Sequence, residues 1–171
     1  VGVPEKEDMA RWAEIGVKEE AMVLTGNMKF DPDGAALPRR RSEFTMMLEA
    51  FPKRRIAMAV STFSGEEEYL DAAFRELGFQ SVIGPRHAER RGEVVRALGE
   101  HVILRSQFTP PVSDETLVID STGELRDWTA HADVVVIGKS FLEKGGQNPT
   151  EAILAGVPVI CGPYMANFEP L

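Results

Sequence analysis

The residues of this chain that are best suited to chemistry lie in one short stretch, Gly145–Pro163, which reads GGQNPTEAILAGVPVICGP. Gly145 and Gly146 let the backbone approach a ligand closely, because glycine has no Cβ. Asn148 can cap a helix, and Pro149 suits the first helical position, where a backbone N–H would lack a partner. The N–H groups left free at such a helix start form a cradle for phosphate.

A carboxylate in the first turn of the same predicted helix adds a second chemical capacity. Glu151 is close enough to the helix start to accept hydrogen bonds from the ribose hydroxyls of a nucleotide held there. The residues that follow, Gly156–Pro158, end the helix and begin a strand. The alternative interpretation is a capped helix with an acidic first turn, and the motif alone leaves both interpretations open.

Other loops also place small, polar or basic residues directly after strand-like runs. These loops read STFSG from Ser61, PRH from Pro85, STGEL from Ser121 and KS from Lys139. Arg86 is the strongest candidate for an anion contact, because a guanidinium pairs bidentately with phosphate or carboxylate. His87 is either a donor to the same ligand or a solvent-facing histidine at a helix start. Together with Gly145–Glu151 these loops predict a nucleotide-sized site.

Alternating strands and helices are predicted to bring these loops together. Six short β-branched runs predict strands buried on both faces: Ile56–Val60, Ser81–Gly84, Val102–Leu104, Leu117–Asp120, Val134–Gly138 and Val157–Cys161. Helical patterns lie between several of them, which predicts an α/β fold, a Rossmann-like parallel sheet with helices on both faces. Ligands of such sheets bind beyond the carboxyl ends of the strands, where the candidate loops lie.

Two longer helical patterns show how the sheet is covered. In GEEEYLDAAFRELG one apolar stripe is predicted, formed by Tyr69, Leu70, Ala73, Phe74 and Leu77. Its three glutamates from Glu66 are interpreted as a charged first turn favoured by the helix dipole, in preference to a metal site. In HAERRGEVVRALG the inward residues are predicted to be Val94, Val95 and Leu98.

Composition excludes several classes of protein. The 171 residues are 43% hydrophobic and 27% charged, which suits one ordinary globular domain, and the formal net charge of -8 argues against nucleic-acid binding. Cys161 is the single cysteine, so there is no disulfide framework or cysteine-built zinc site, and its apolar run predicts an inert core thiol. With no membrane-spanning run or signal peptide, the fragment is expected to be soluble and from a reducing compartment.

The first part of the chain differs from the rest. EKEDMARWAEIG predicts an amphipathic helix with Met9, Trp12 and Ile15 on one side, and AMVLTGNMKFD predicts a short strand. DPDGAALPRRR has the composition of a linker, and the basic residues Arg39–Arg41 and Lys53–Arg55 are interpreted as solvated flanks of one helix. Residues 1–42 are therefore predicted to be the tail of an amino-terminal domain plus linker, and residues 43–171 a nucleotide-sugar-binding domain lacking its last helices.

The order of these motifs resembles the carboxyl-terminal half of the Kdo (3-deoxy-D-manno-octulosonic acid) transferases, which are two-domain GT-B glycosyltransferases. The matching pieces span Thr25 to Phe168: TGNMKFD, STFSGEEE, PRHAER, STGELRDW, ADVVVIGKSF, GGQNPTEAILAGVPVICGP and NF. The PRH and GGxNPxE pieces together are fairly specific. The pattern from Glu151 to Pro163 alone is shared by many nucleotide-sugar transferases.

The resemblance implies a donor, an acceptor and a location. The donor would be CMP-Kdo, with its CMP half held by this domain, and the acceptor a lipid A precursor in lipopolysaccharide biosynthesis. The full-length protein would lie at the cytoplasmic face of the bacterial inner membrane, peripheral to or anchored in it. No cofactor and no metal is implied. The family's catalytic base is a glutamate of the amino-terminal domain, so no catalytic residue is expected in this chain and the fragment alone is expected to be inactive.

The donor-binding residues implied by the resemblance come from four of the loops. Pro85, Arg86 and His87 would lie near the nucleotide, with Gly123, Glu124 and Leu125 around it. The ribose and phosphate would be held at the last loop and its neighbour, by Ser140, Gly145, Gly146, Gln147, Asn148, Pro149, Thr150 and Glu151.

The chain departs from the family pattern at four places. Gln147 stands where the family usually has histidine, and Thr62–Gly65 reads TFSG in place of Thr-His-Glu-Gly. Thr122 replaces a methionine and Lys139 a glycine. The loss of two histidines would mean either an altered donor contact or a different sugar. Lys139 is interpreted as a surface lysine, with a compensating cation near the phosphate as the alternative.

Two other functions remain open from the residues. The chain could be part of a GT-B transferase or epimerase that uses a UDP-sugar, which nucleotide preference would distinguish. It could also be a non-catalytic nucleotide-binding or interaction module.

Overall fold

The computed structural model describes residues 1–27, 37–52, 55–142, 145–169 and 171. The chain divides into two compact units, Val1–Ala36 and Leu37–Leu171. The linker predicted over Asp31–Arg41 lies partly outside the described residues, and so do Lys53 and Arg54 of the second basic cluster. The assignment of residues 1–42 to an amino-terminal domain stays a prediction.

The first unit holds the helix and the strand expected from its sequence. Strand β1 (Gly2–Val3) pairs in parallel with β2 (Val23–Leu24), and helix α1 (Lys6–Glu14) lies between them in the chain. No residue of α1 is buried, and Ile15, on its predicted apolar side, is 72% exposed. The predicted helix is confirmed, but its apolar side is largely uncovered.

A six-stranded sheet in which all strands run parallel forms the centre of the second unit. The strand order is β5-β6-β4-β3-β7-β8. The strands are β3 (Ile56–Thr62), β4 (Gln80–Pro85), β5 (Val102–Leu104), β6 (Thr116–Val118), β7 (Val134–Ile137) and β8 (Val159–Ile160). All six predicted strands are present. β8 begins later than predicted, since Pro158 has no N–H to donate to a ladder.

Helices cover both faces of this sheet. They are α2 (Ser42–Glu49), α3 (Glu66–Glu76), α4 (Arg91–Leu98), α5 (Leu125–Thr129) and α6 (Thr150–Leu154). Alternate residues of β3 point to opposite faces. Met58 and Val60 pack in a cluster with residues of α2, α5 and α6, whereas Ala57 and Ala59 pack with residues of α3 and α4. The predicted fold, a parallel sheet with helices on both faces, is confirmed.

Stacked rings join α2 to α5 within the first of these clusters. The rings of Phe44 and Trp128 are 3.9 Å apart and almost parallel, and His131 meets Phe44 edge-on. His131 is buried, its Nε2 accepts the backbone N–H of Arg41, and burial together with the charge of Arg40 lowers the pKa of its imidazole. His131 is therefore a structural residue of this cluster.

Three side chains predicted to be inward are exposed. Tyr69 is 60% and Leu77 is 70% exposed, because the buried face of α3 runs through Glu66, Leu70 and Phe74. Cys161 is also exposed, so the expectation of a core thiol was wrong. It follows β8, an edge strand of the described sheet, where the neighbouring Ile160 is 51% exposed. An apolar run at a sheet edge does not guarantee burial.

The chain changes direction across the sheet at β3, which makes the end of this strand a natural crevice. From β3 the chain crosses to β4 on one side, and later returns to β7 on the other. Crevices at such switch points are where open α/β sheets bind ligands. The two strand ends pack closely: a Cβ on Gly138, directly after β7, would lie 2.4 Å from the carbonyl oxygen of Ser61.

We predict that Gly138→Ala lowers the free energy of unfolding by about 1–3 kcal/mol, since the new methyl group meets backbone that has little room to move. The control is Gly92→Ala in α4, where the nearest atom to the new Cβ is 3.8 Å away. This change should be neutral or stabilising by up to about 1 kcal/mol. Urea unfolding measures both, and equal midpoints for the two variants would contradict the close packing at the crevice.

Candidate functional site

The carboxyl ends of four strands surround a pocket of about 370 Å³. Its lining comes from the end of β3 and from the segments that follow β4, β6 and β7, and consists of Ser61, Arg86, Gly123, Leu125, Arg126, Gln147, Asn148 and Glu151. The stretch Gly145–Glu151 thus follows β7 at the carboxyl edge of the sheet, as the sequence predicted. Six residues of the predicted site meet in this one pocket.

A second, smaller pocket of about 210 Å³ adjoins the first. The two pockets share Arg86, Gly123 and Leu125. The smaller one is also lined by Pro85, so the structure places the Pro85–Arg86 corner between the two. We treat the two pockets as one continuous cleft.

The helix start in the last loop has the predicted cap. Oδ1 of Asn148 accepts the backbone N–H of Thr150 at 3.0 Å and its hydroxyl at 2.6 Å. Pro149 is buried and already has helical dihedral angles, φ -85° and ψ -5°. Helix α6 itself is only five residues long. Asn148 therefore both lines the pocket and shapes the turn that carries Glu151.

Several other predicted residues lie off the pocket lining and support the loops. Ser140 is buried, where its hydroxyl donates to the carbonyl of Ile137 and accepts the N–H of Gly162. Gly145 and Gly146 both have positive φ, and a Cβ on Gly146 would lie 2.3 Å from the sulfur of Met165. These glycines let the loop turn tightly against the segment that follows β8.

Glu124 is held away from the pocket by two arginines. Its carboxylate is 3.4 Å from Nη1 of Arg41 and 3.0 Å from Nε of Arg105, and it accepts the hydroxyl of Ser121. Arg41 also pairs with Asp127 and lies 4.9 Å above the ring of Phe44. Arg41 is exposed, as its sequence suggested, but its guanidinium is also held in ion pairs. Glu124 connects the loop after β6 to the residues before α2.

Two buried glutamates at the start of α3 anchor the loop after β3. Glu66 and Glu67 are 1% and 2% exposed, although the sequence predicted only a charged first turn. Oε2 of Glu66 accepts the backbone N–H of Phe63 at 3.0 Å and that of Lys139 at 2.7 Å. The carboxylate thereby ties the loop after β3 to the loop after β7. The positive end of the helix dipole favours a carboxylate at this position.

Phe63 and Lys139, two residues at which the chain departs from the family pattern, contact each other. Nζ of Lys139 lies 4.9 Å from the centre of the Phe63 ring, and the same ring forms a T-shaped contact with the His87 ring. Ser61 and Lys139 both have φ of 55°, a conformation that side-chain-bearing residues adopt rarely. Lys139 is half-buried and does not line the pocket. Its ammonium group packs on an aromatic ring.

An arginine secures the second of the buried glutamates. Nη1 of Arg90 lies 2.9 Å from Oε1 of Glu67, which also accepts the hydroxyl of Thr62. The other edge of the guanidinium contacts Glu93, whose carboxylate accepts the hydroxyl of Ser64 as well. These hydrogen bonds lower the pKa of Glu93 from 4.5 to about 2, and the bond from Arg90 has the largest effect. The loop after β3 is therefore bound from two sides.

Two pocket residues were not among the predicted site residues. Ser61 was expected in a small polar turn after the strand, but it lies within β3, near its carboxyl end. Arg126 follows the STGEL piece, and its Nε lies 3.3 Å from Oε1 of Glu151. The resemblance covers position 126 but implies no donor-binding role there, so only the approach of α5 to α6 in the fold reveals it.

Two other features, a metal site and a membrane-spanning helix, are not found among the described residues. No group of three or more of their histidine, cysteine, aspartate and glutamate side chains is arranged to hold a metal ion. None of the helices in the described ranges has the length and apolar character needed to cross a membrane.

The Arg90–Glu93 pair predicts a pH dependence of stability. The folded-state pKa of Glu93 is depressed, so its contribution is fully present above the ordinary value of 4.5 and is lost as the pH falls towards about 2. Between these values the urea midpoint of Glu93→Gln should fall less steeply with decreasing pH than that of the wild type. Glu76→Gln, on an exposed turn of α3, is the control and should follow the wild type. If the urea midpoints of the wild type and Glu93→Gln fell in parallel with decreasing pH, the Arg90–Glu93 pairing would be contradicted.

Comparison with known proteins connects this geometry to one family. No protein-family model matches the chain. The 3-deoxy-D-manno-octulosonic acid transferase of Bordetella pertussis is 32% identical over 95% of this chain, and that of Haemophilus influenzae is 31% identical over 94%. In both matches the chain spans 40% of the relative's length.

A solved structure identifies which part of these enzymes the fold matches. The crystal structure of the C-terminal CMP-Kdo binding domain of WaaA from Acinetobacter baumannii superposes with a TM-score of 0.60 and 27% identity, covering 74% of this chain and 75% of that one. The predicted fold class, the carboxyl-terminal half of a GT-B fold, is thereby confirmed. The predicted resemblance is confirmed as well: the chain matches the 3-deoxy-D-manno-octulosonic acid transferase family, and the part of it that the chain matches is the carboxyl-terminal domain.

Proposed function

We propose that this chain is the donor-binding domain of a glycosyltransferase that moves Kdo from CMP-Kdo to a lipid A precursor in lipopolysaccharide biosynthesis. One observation carries the proposal. In a chain similar to Kdo transferases over about 95% of its length, the loops that carry the family motifs converge on one pocket at the switch point of the sheet. The proposal rests on residues that line this pocket.

Arg86 and Glu151 have the side chains best placed to hold a nucleotide. The guanidinium of Arg86 is exposed and forms no ion pair with any described residue, so it can pair with phosphate. Glu151 faces the same pocket, and its Oε2 has no hydrogen-bond partner among the described residues, so it can accept a ribose hydroxyl. Gly123, Leu125 and Asn148 would surround the nucleotide.

The remaining predicted residues have supporting roles in this proposal. They would keep the pocket-lining loops in place or meet parts of the donor that extend beyond the pocket: Pro85, His87, Glu124, Ser140, Gly145, Gly146, Gln147, Pro149 and Thr150. Gln147 lines the pocket where the family usually has histidine. A neutral amide can donate and accept hydrogen bonds, but it cannot add positive charge.

The chemistry would be displacement at the anomeric carbon of the sugar, through an oxocarbenium-like transition state with CMP as the leaving group. Negative charge grows on the departing phosphate, and fixed cationic donors stabilise it at that point. Arg86 is such a donor, so the proposed reaction needs no metal ion. The base that accepts the proton of the incoming hydroxyl is proposed to lie in the amino-terminal domain.

The proposals about the full-length protein are inferred from its resemblance to the family. The acceptor would be a lipid A precursor, and the enzyme would work at the cytoplasmic face of the inner membrane. Residues 1–42 would belong to the amino-terminal domain and the linker. Support comes from the relatives' sequence similarity and not from a contact in this structure.

A nucleotide panel distinguishes this function from the two alternatives. Calorimetric titration of the chain with CMP, UMP, UDP and GDP should show a clear preference for CMP. Preference for UDP would support a UDP-sugar enzyme instead. Binding of none of the four would leave an interaction module as the better description.

Two substitutions test the assigned contacts. Glu151→Ala should weaken CMP binding by about 1.5–3 kcal/mol, the range for hydrogen bonds to charged groups, with only about 0.3–1 kcal/mol lost from stability. Arg86→Ala should also weaken CMP binding more than it lowers the stability of the fold, and this loss of affinity should be larger at low salt. Arg91→Ala, another exposed arginine, is the control and should leave both unchanged. A collapse of stability with affinity intact would make Glu151 a structural residue.

We also predict that the 171-residue chain binds CMP weakly but transfers no sugar. Transfer needs donor and acceptor aligned in a cleft between two domains, together with the base. The chain is incubated with CMP-Kdo and a lipid A precursor, and mass spectrometry detects any adduct. A product formed by this chain alone would locate the base within it and overturn the two-domain mechanism.

A further inference from the structure

Arg126 lies in the matching piece STGELRDW, but the resemblance assigns it no role in donor binding. It lies in α5, directly after the Gly123–Leu125 turn, and it lines the pocket together with Glu151. Its Nε donates to Oε1 of Glu151 at 3.3 Å. The two side chains are 43% and 41% exposed, so their ion pair by itself contributes little to stability.

This bond leaves the most useful part of the guanidinium available. Only Nε contacts Glu151, and the terminal nitrogens Nη1 and Nη2 have no partner among the described residues. These two nitrogens form the fork that binds phosphate or carboxylate bidentately. Arg126 can therefore bind an anion without releasing Glu151, and Glu151 can use its other oxygen without releasing Arg126.

The charge of the pocket supports an anionic ligand. Its lining contains Arg86, Arg126 and one carboxylate, that of Glu151. The chain as a whole carries a formal net charge of -8, so a lining with an excess of cations is a local exception. Two cationic side chains that line one pocket favour the binding of an anion there.

We propose that Arg126 is a second anion-binding residue of this pocket, which binds the phosphate of the nucleotide together with Arg86. Its bond to Glu151 holds the guanidinium beside the carboxylate that receives the ribose. Since phosphate and ribose are adjacent in a nucleotide, one ligand meets both side chains. This inference rests on the proposed function and deepens it, because the resemblance assigns no role to position 126.

The competing explanation is that Arg126 only positions Glu151. Cytidine separates the two, because it has the ribose and base of CMP but no phosphate. A residue that contacts phosphate affects CMP alone. A residue that acts through Glu151 affects CMP and cytidine equally.

The experiment measures binding of CMP by calorimetry, and of cytidine by its competition with CMP, for the wild-type chain and Arg126→Gln. We expect CMP affinity to fall about tenfold or more, as for the loss of a charge-assisted hydrogen bond, with cytidine affinity unchanged. The salt dependence of CMP binding should also become weaker. In a Glu151→Gln background, the change at Arg126 should still reduce CMP affinity.

Arg75→Gln provides the matched control. Arg75 also pairs with a carboxylate, that of Asp114, but it lies near the end of α3 and lines neither part of the cleft. Its variant should bind both ligands as the wild type does, and thermal unfolding should show that both variants are folded. Equal losses for CMP and cytidine in Arg126→Gln, or no loss for either, would overturn the inference.

The wild-type titration tests the proposed function separately. If the wild type prefers UMP or UDP, the donor assignment fails, and the same comparison with that nucleotide and uridine still tests Arg126. If the wild type binds no nucleotide, the proposed function and this inference are both wrong. If the wild type binds CMP and only the Arg126 result fails, the function stands without this contact.

Discussion

The buried carboxylate of Glu66 is the interaction on which the site's geometry depends. It accepts backbone N–H groups from Phe63 and Lys139, and so joins the loops that follow two adjacent strands, β3 and β7. These strands flank the point where the chain reverses direction across the sheet. Burial strengthens each hydrogen bond, because little water competes for the carboxylate. The contact of the Lys139 ammonium with the Phe63 ring joins the same two loops at a second point.

A second set of charged contacts does the same for the loop after β6. Glu124 pairs with Arg41 and Arg105, and the Phe44–Trp128 stack holds α2 against α5 below them. The motif glutamate is thus engaged with the protein, while Gly123 and Leu125 on either side of it face the cleft. The loop presents backbone and an apolar side chain to a ligand because its charged residue is held by arginines.

These supports divide the polar residues of the site into two groups. Glu66, Glu67, Arg90 and Glu124 bond to the protein itself and shape the loops. Arg86 and the terminal nitrogens of Arg126 have no such bonds among the described residues. A chain with a net charge of -8 therefore keeps cationic groups available at one place, the edge where its relatives' motifs converge.

Local sequence determined the elements, the parallel sheet and the edge at which the motifs lie. β-branched runs, helical periodicity and the Asn-Pro cap act over short distances, so residues near in sequence suffice to predict them. The burial of Glu66 and the exposure of Cys161 depend on which neighbours cover each position. The pairing of Arg126 with Glu151 joins residues of two helices that are distant in sequence. Only the tertiary structure decided these, because burial and ion pairing arise from contacts between elements that no local pattern contains.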